Sequence, residues 1–250
     1  MAPIHKFSDR VKVVITGFEP FGKHVTNPSW QAVRVLNNLT LDLPSPSPKA
    51  GAAHHKATKV DIVCQELPVE YRKVPDLVPE LHVTHSKPAV TLDANQDAQK
   101  EYLKTYYIHV GVGHDGHTAI ETQAHRTGYG HPDNASWFPE SKEEAPVKKE
   151  AWAADPDVLT TTVDTLALAE YLKTEKGWIC QQSMDAGHYL CEYTFYLSMA
   201  ERHRRILSGQ ESEHDRACLF VHVPSVGNPY TLEELQRFVQ DMVVAVASQY

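Results

Sequence analysis

Short apolar runs, each bounded by polar or turn-forming residues, recur along the 250 residues of the chain. Val11-Lys-Val-Val-Ile-Thr16 reads as a buried strand, as do Val60 to Leu67, Tyr106 to Val112, Trp178 to Gln182 and Cys218 to Val223. Between them the spacing turns helical. Asn27-Pro28 pairs a favoured N-cap with a favoured first helical residue, and Trp30, Val33 and Leu36 follow as an apolar stripe. Val69 to His82 has helical spacing but carries Pro75 and Pro79, which blur its ends. Thr165 to Lys176 predicts a helix ended by Gly177. An aromatic-rich helix is predicted to begin at Cys191, after the small-residue turn Asp185-Ala-Gly187. The last helix opens on Thr231-Leu-Glu-Glu234, a capping box, and sets Leu235, Phe238, Val239, Met242 and Val246 on one face.

Strands alternating with helices predict an α/β sandwich with a largely parallel sheet. Residues 41–57, rich in Pro, Ser, Ala and His, read as an exposed loop. Residues 87–100 are polar, and 139–157 hold many charges and three prolines, as a solvated insertion would. No repeat and no domain boundary stands out. In such sheets ligands bind outside the carboxyl ends of strands. Gly17-Phe18, the loop after Val112, the segment Ser183 to Cys191, and His222 all fall at or just past predicted strand ends.

Candidate chemistry concentrates at Cys191. A thiol at a helix start meets unpaired backbone N–H groups and the positive end of the helix dipole, and both favour the nucleophilic thiolate. His222, inside the apolar strand Leu219 to Pro224, is a candidate base brought close by the fold. Together they suit acyl transfer: thiolate attacks a carbonyl and imidazole carries the proton to the leaving amine. The plainer reading of Cys191 is a packed core residue. An imidazole base needs an orienting group. Glu121 is available, though by residue chemistry alone it is one acid among many.

Composition narrows the classes. A net charge of −8 argues against nucleic acid or an acidic membrane surface as a partner. The first ten residues have no apolar h-region, and no stretch is long and apolar enough to span a bilayer. Four cysteines lie scattered without metal or disulfide spacing, so a reducing, cytoplasmic setting fits best. His109, His114, His117, His125 and His131 cluster, but glycines break their periodicity and no His-Glu-x-x-His pattern forms. No metal site is read from them.

Three blocks carry a resemblance. They are Ile15-Thr-Gly-Phe-Glu-Pro-Phe-Gly22 with Asn27-Pro-Ser-Trp30; His109-Val-Gly-Val112 through Glu121 to Gly128-Tyr129 and Asp133-Asn134; and Asp185-Ala-Gly-His-Tyr-Leu-Cys191 with Phe220-Val-His-Val-Pro224. In order and rough spacing the chain resembles the pyroglutamyl-peptidase I family, cysteine omega peptidases that remove an N-terminal pyroglutamyl residue. The resemblance implies a single-domain three-layer α/β/α sandwich with a twisted, largely parallel mixed sheet. It implies Cys191 as nucleophile, His222 as general base and then acid, and Glu121 as the group orienting the imidazole. It places Phe18 and Phe21 on either side of the pyroglutamyl ring, with Tyr189 and Leu190 helping to line the pocket. Peptides with N-terminal pyroglutamate are the implied partners, and no metal or organic cofactor is implied. Without the resemblance, Phe18 and Phe21 would read as a loop anchored by packing.

One departure stands out. Where bacterial members of the family this chain resembles carry an Arg near the oxyanion before the Asp-Asn pair, and some animal members a Lys, the motif match puts Gly130 in this chain. Arg126, His131 or backbone N–H groups at the Cys191 helix start are the alternative sources of positive potential. The same departure leaves open a pyroglutamyl-peptide-binding homologue without turnover. A thiol amidase or esterase on the same scaffold is a third reading, against which the paired phenylalanines argue.

Overall fold

The computed structural model describes residues 9–22, 25–44, 57–85, 102–152 and 154–248. In chain order the strands are β1 (Arg10–Phe18), β2 (Thr40–Asp42), β3 (Lys59–Leu67), β4 (Thr105–Val112), β5 (Thr118–Glu121), β6 (Gln123–His125), β7 (Val158–Thr160), β8 (Cys180–Ser183) and β9 (Arg216–Val223). The helices are α1 (Pro28–Val33), α2 (Val74–Thr84), α3 (Thr165–Thr174), α4 (Leu190–Leu207) and α5 (Leu232–Ser248). Seven strands form one sheet in the order β2-β3-β1-β4-β9-β5-β8, while β6 and β7 form a separate pair. The centre β3-β1-β4-β9 is parallel; β1, β4 and β9 are buried on both faces over most of their length because helices cover both, while β3 alternates buried Val60 and Ile62 with the polar Lys59, Asp61 and Gln65. β2 and β5 join it antiparallel, and β8 runs parallel to β5.

The period of two along each strand sorts side chains into two cores. Val13, Ile15, Ile108, Val110, Leu219 and Val221 meet α1, α3 and α5 on one face. Val14, Phe18, Tyr107, Cys218 and Phe220 meet α2 and α4 on the other. This is the expected α/β/α sandwich with a mixed, mostly parallel sheet.

Several local expectations hold at the level of single bonds. The Asn27 side chain caps α1 by accepting from Ser29 N, with Pro28 in the first turn. At the start of α5 the Thr231 Oγ1 accepts from Glu234 N while Thr231 N donates to Glu234 Oε2, a reciprocal capping box. Gly177 adopts φ +77° just past α3, the left-handed backbone that glycine takes without strain.

Other expectations need correction. α2 starts at Val74, so Pro75 lies in its first turn, where a missing N–H costs nothing, and the helix continues through Pro79. Residues 69–73 stay out of the helix because their backbone is tied elsewhere: Val69 N donates to Glu19 Oε1 and Tyr71 N donates to Asp133 Oδ2. The loop expected at 41–57 begins as strand, with Leu41 paired to Val60; residues 45–56 lie outside the described residues, as does the whole 87–100 segment. The segment 139–157 exposes most of its acidic and basic side chains but is not wholly solvated: Asp155 is buried against Arg204. Trp152 is buried in the same core as Tyr193 and Tyr196 of α4.

Candidate active site

Register brings the site residues together. In the parallel β4/β9 pair His109 faces Phe220 and Gly111 faces His222. In the antiparallel β5/β9 pair Ala119 faces His222 and Glu121 faces Phe220. His222 and Glu121 therefore share the sheet face that α4 covers, one diagonal step apart. The His222 Nδ1 lies 2.8 Å from Glu121 Oε1, with the two side chains 13% and 1% exposed. The expected placement at strand carboxyl ends holds for Phe18, Val112 and His222 on β1, β4 and β9. Glu121 and Ser183 also end their strands, but β5 and β8 run the opposite way, so they reach the site over the face of the sheet.

α4 delivers the thiol. Cys191 is its second residue, and the N-cap residue Tyr189 makes no side-chain cap to the first-turn N–H groups. Those donors and the helix dipole point at the space around the sulfur. Burial opposes protonation of His222, but hydrogen bonds and charge from Cys191 and Glu121 outweigh it and raise its pKa from 6.5 to about 9. The imidazole thus has the Glu121 carboxylate at hydrogen-bond distance and the Cys191 thiol in the same cleft.

Two glycines make room for this contact, and sequence reasoning did not single them out. A Cβ on Gly111 would stand 2.7 Å from Cys191 Sγ and 2.8 Å from Phe220 Cζ. A Cβ on Gly113 would stand 2.7 Å from His222 Cβ. Any larger residue at either position displaces the Cys191 thiol or the His222 ring. The available signal was the strand run ending in glycines, whose meaning depends on which residues lie across the ladder.

Cys191, Glu121 and His222 line an open cleft of about 480 Å³, shared with Phe21, His114 and His117. Beside it is a small apolar recess walled by Phe18, Phe21, Val112, Tyr189, Leu190 and Cys191. All four residues expected to line a pyroglutamyl pocket are therefore together, next to the sulfur. The loop carrying the two phenylalanines is fixed by several bonds. Phe18 N donates to Ser29 Oγ at 3.0 Å, and Asn27 Nδ2 donates to Glu19 O at 3.0 Å. From the far side Asn134 Nδ2 donates to Pro20 O at 2.8 Å and Asn134 Oδ1 accepts from Gly22 N at 3.4 Å. Asp133 holds the turn beneath by accepting from Tyr71, Ala135 and Trp137 backbone N–H groups. The Asp133-Asn134 pair is a mount for the pocket.

Comparison with known proteins agrees with this geometry. A family model described as pyroglutamyl peptidase matches residues 11–45. The chain is 32% identical over 238 residues to human pyroglutamyl-peptidase 1, covering 94% of this chain and 88% of the relative. The chain belongs to the pyroglutamyl peptidase family. It is also 28% identical to a pyrrolidone-carboxylate peptidase of Thermococcus onnurineus, over 86% of this chain and 84% of that one. The crystal structure of Bacillus amyloliquefaciens pyroglutamyl peptidase I superposes with a TM-score of 0.65 at 21% identity, covering 95% of this chain and 97% of the other. That likeness shows the shared fold.

Against this family background the Gly130 departure acquires a structural counterpart. The side chain of Lys142 runs across Gly130, with its Nζ 3.1 Å from where a Gly130 Cβ would stand. The lysine comes from the charged 139–157 segment, and only a residue without a side chain leaves it that path. Of the alternatives weighed from sequence, Arg126 pairs with Asp157, and His131 stacks edge-on to Tyr189.

Proposed function

We propose that the protein hydrolyses the amide bond after an N-terminal pyroglutamyl residue of peptides, with Cys191, His222 and Glu121 as its catalytic triad. The observation that carries this reading is the His222–Glu121 contact at 2.8 Å, with Cys191 lining the same cleft as that imidazole and the adjoining Phe18/Phe21 recess.

The chemistry follows from the positions. The lactam ring enters between Phe18 and Phe21, where flat uncharged faces are favoured and a free glutamate or an ammonium group would lose its hydration. The main-chain carbonyl carbon of the pyroglutamyl residue, outside the ring, then lies beside Cys191. The thiolate attacks, and the developing oxyanion faces the uncapped N–H groups of the first turn of α4. The imidazolium of His222 gives its proton to the departing amine, leaving a thioester on Cys191. Neutral His222 next takes a proton from water, whose oxygen attacks the thioester and releases pyroglutamate and the thiol. Throughout, Glu121 accepts from the Nδ1–H, holding the tautomer that presents the other ring nitrogen to sulfur.

Among the described residues no helix is long and apolar enough to cross a membrane. All four cysteines are free, which suits work in a reducing, cytoplasmic setting. Release of a fluorescent amine from a pyroglutamyl amide in reducing buffer tests the reading. Wild type should turn over, while Cys191→Ala and His222→Ala each lose activity by on the order of 10⁴-fold or more. A folded wild type that binds the amide without cleaving it would replace this reading with that of a binding protein.

A further inference from the structure

We propose a divalent transition-metal site formed by His125, His188 and Glu192, separate from the triad. Glu192 follows the nucleophile in the first turn of α4, and its carboxylate is 0% exposed. Two imidazoles flank it. His125 Nδ1 lies 2.6 Å from Glu192 Oε1, which also accepts from the His125 backbone N–H at 3.1 Å. His188 Nδ1 lies 3.1 Å from Oε2. The ligand atoms of the three residues all lie within 4.8 Å of one another.

Three features point to a bound cation rather than to packing alone. First, Glu192 Oε2 is fully buried and accepts no well-directed hydrogen bond among the described residues, although His188 Nδ1 is near it. A buried carboxylate oxygen without a partner is costly, and a metal ion supplies one. Second, the donor set is two imidazoles and one carboxylate, a set that zinc and its neighbours take with a fourth position left for water. His125 and His188 are 33% and 50% exposed, so that position opens to solvent and an ion has a route in. Third, the surroundings orient the ligands. The Tyr129 hydroxyl donates to the His125 carbonyl, and the Tyr129 ring lies edge-on to His188 at 6.3 Å. Gly128, at φ +103°, leaves the space against His188 clear, since a Cβ there would stand 2.8 Å from His188 Nδ1. Such outer contacts are what hold ligating histidines in place.

His125 is the one member of the histidine-rich 109–131 stretch in this set. Its partners come from a segment some sixty residues away, which is why local spacing did not reveal them. The readable signal was His188 and Glu192 at i, i+4. An ion here would tie the β6 strand and the turn after it to the first turn of α4.

Titration of the full-length Cys191→Ala protein with Zn²⁺ tests the site without competition from the catalytic thiol. Calorimetry should show one equivalent bound, and the melting temperature should rise with added Zn²⁺. Adding His188→Ala, an exposed position that leaves the core intact, should weaken binding at least tenfold and abolish the rise; His188→Gln guards against a packing defect and should do the same. Co²⁺ bound to Cys191→Ala should show visible bands without thiolate charge transfer. Unchanged affinity in the His188 variants would overturn the site. So would saturable binding by wild type that vanishes in Cys191→Ala, because the ion would then belong to the thiol. Neither outcome depends on the peptidase reading, since no activity is measured.

Discussion

Two histidines, His109 fully buried and His222 largely so, flank one phenylalanine and behave in opposite ways. His109 on β4 and His222 on β9 both pack against Phe220, with ring centroids 6.4 Å and 4.9 Å away. His109 meets a neutral partner, the Thr16 hydroxyl, at 2.8 Å, and burial pushes its pKa from 6.5 down to about 3. His222 is also desolvated, but Cys191 and Glu121 bring its pKa up to about 9. The strands are neighbours, and the sheet face and the aromatic neighbour are shared, so the partners decide. A hydroxyl leaves a buried imidazole neutral, while hydrogen bonds and charge from Cys191 and Glu121 favour the protonated ring.

The largest way to break this contrast after loss of the thiol or base is Glu121→Gln. The amide keeps the shape but removes the charge, so His222 should titrate lower and hold its Nδ1 proton less firmly. Turnover should fall by roughly 10²–10⁴-fold, less than for Cys191→Ala. The His222 titration should move down from about 9 when followed by NMR in the folded variant. An unchanged titration would mean that Cys191 alone holds the proton on the ring and that Glu121 is dispensable.

A smaller effect is expected from crowding the pair without touching its chemistry. Gly113→Ala puts a methyl group 2.7 Å from His222 Cβ, and Gly111→Ala puts one 2.7 Å from Cys191 Sγ. Displacing either reacting group by a fraction of an ångström should lower turnover by about 10²-fold. Stability should drop by roughly 1–3 kcal/mol, the ordinary cost of overpacking. Equal activity with equal melting temperature would show that the ladder yields and that these glycines are not needed for alignment.

These residues also mark how far the sequence could be read. Strands β1, β3, β4, β8 and β9 and helices α1, α3, α4 and α5 were legible because long apolar runs, caps and terminal glycines are local signals. β2, β5, β6 and β7, three or four residues long, were not; β8 is as short as β5 and was legible only because the apolar run Trp178-Ile-Cys180 leads into it. The loss of β5 matters most. Glu121 becomes distinctive only when β5 lies antiparallel to β9 and sets it diagonally across from His222. Residue chemistry left it one acid among many, and the family resemblance selected it. The Gly111 and Gly113 roles and the Glu192 cluster share that property: each pairs residues from distant segments, so each needs the fold.

The subtlest test of the contrast uses stability alone. A histidine whose folded pKa is raised stabilises the fold fully below its unfolded value of 6.5, and that contribution disappears as pH rises through about 9. A histidine whose folded pKa is lowered by burial acts in reverse. Below 6.5 the unfolded chain binds a proton that His109 refuses, so stability falls as pH drops from 6.5 toward about 3. His82, fully buried and accepting from Arg216 in a separate network, acts in the same direction as His109. Urea midpoints of wild type should therefore decline on both sides of neutrality. His222→Gln should flatten the alkaline side and leave the acid side as it was, whereas His109→Gln should reduce the acid slope and leave the alkaline one. If both variants changed the same side, the two imidazoles would be responding to burial alone, and the thiol and carboxylate around His222 would lose their claim to set its charge.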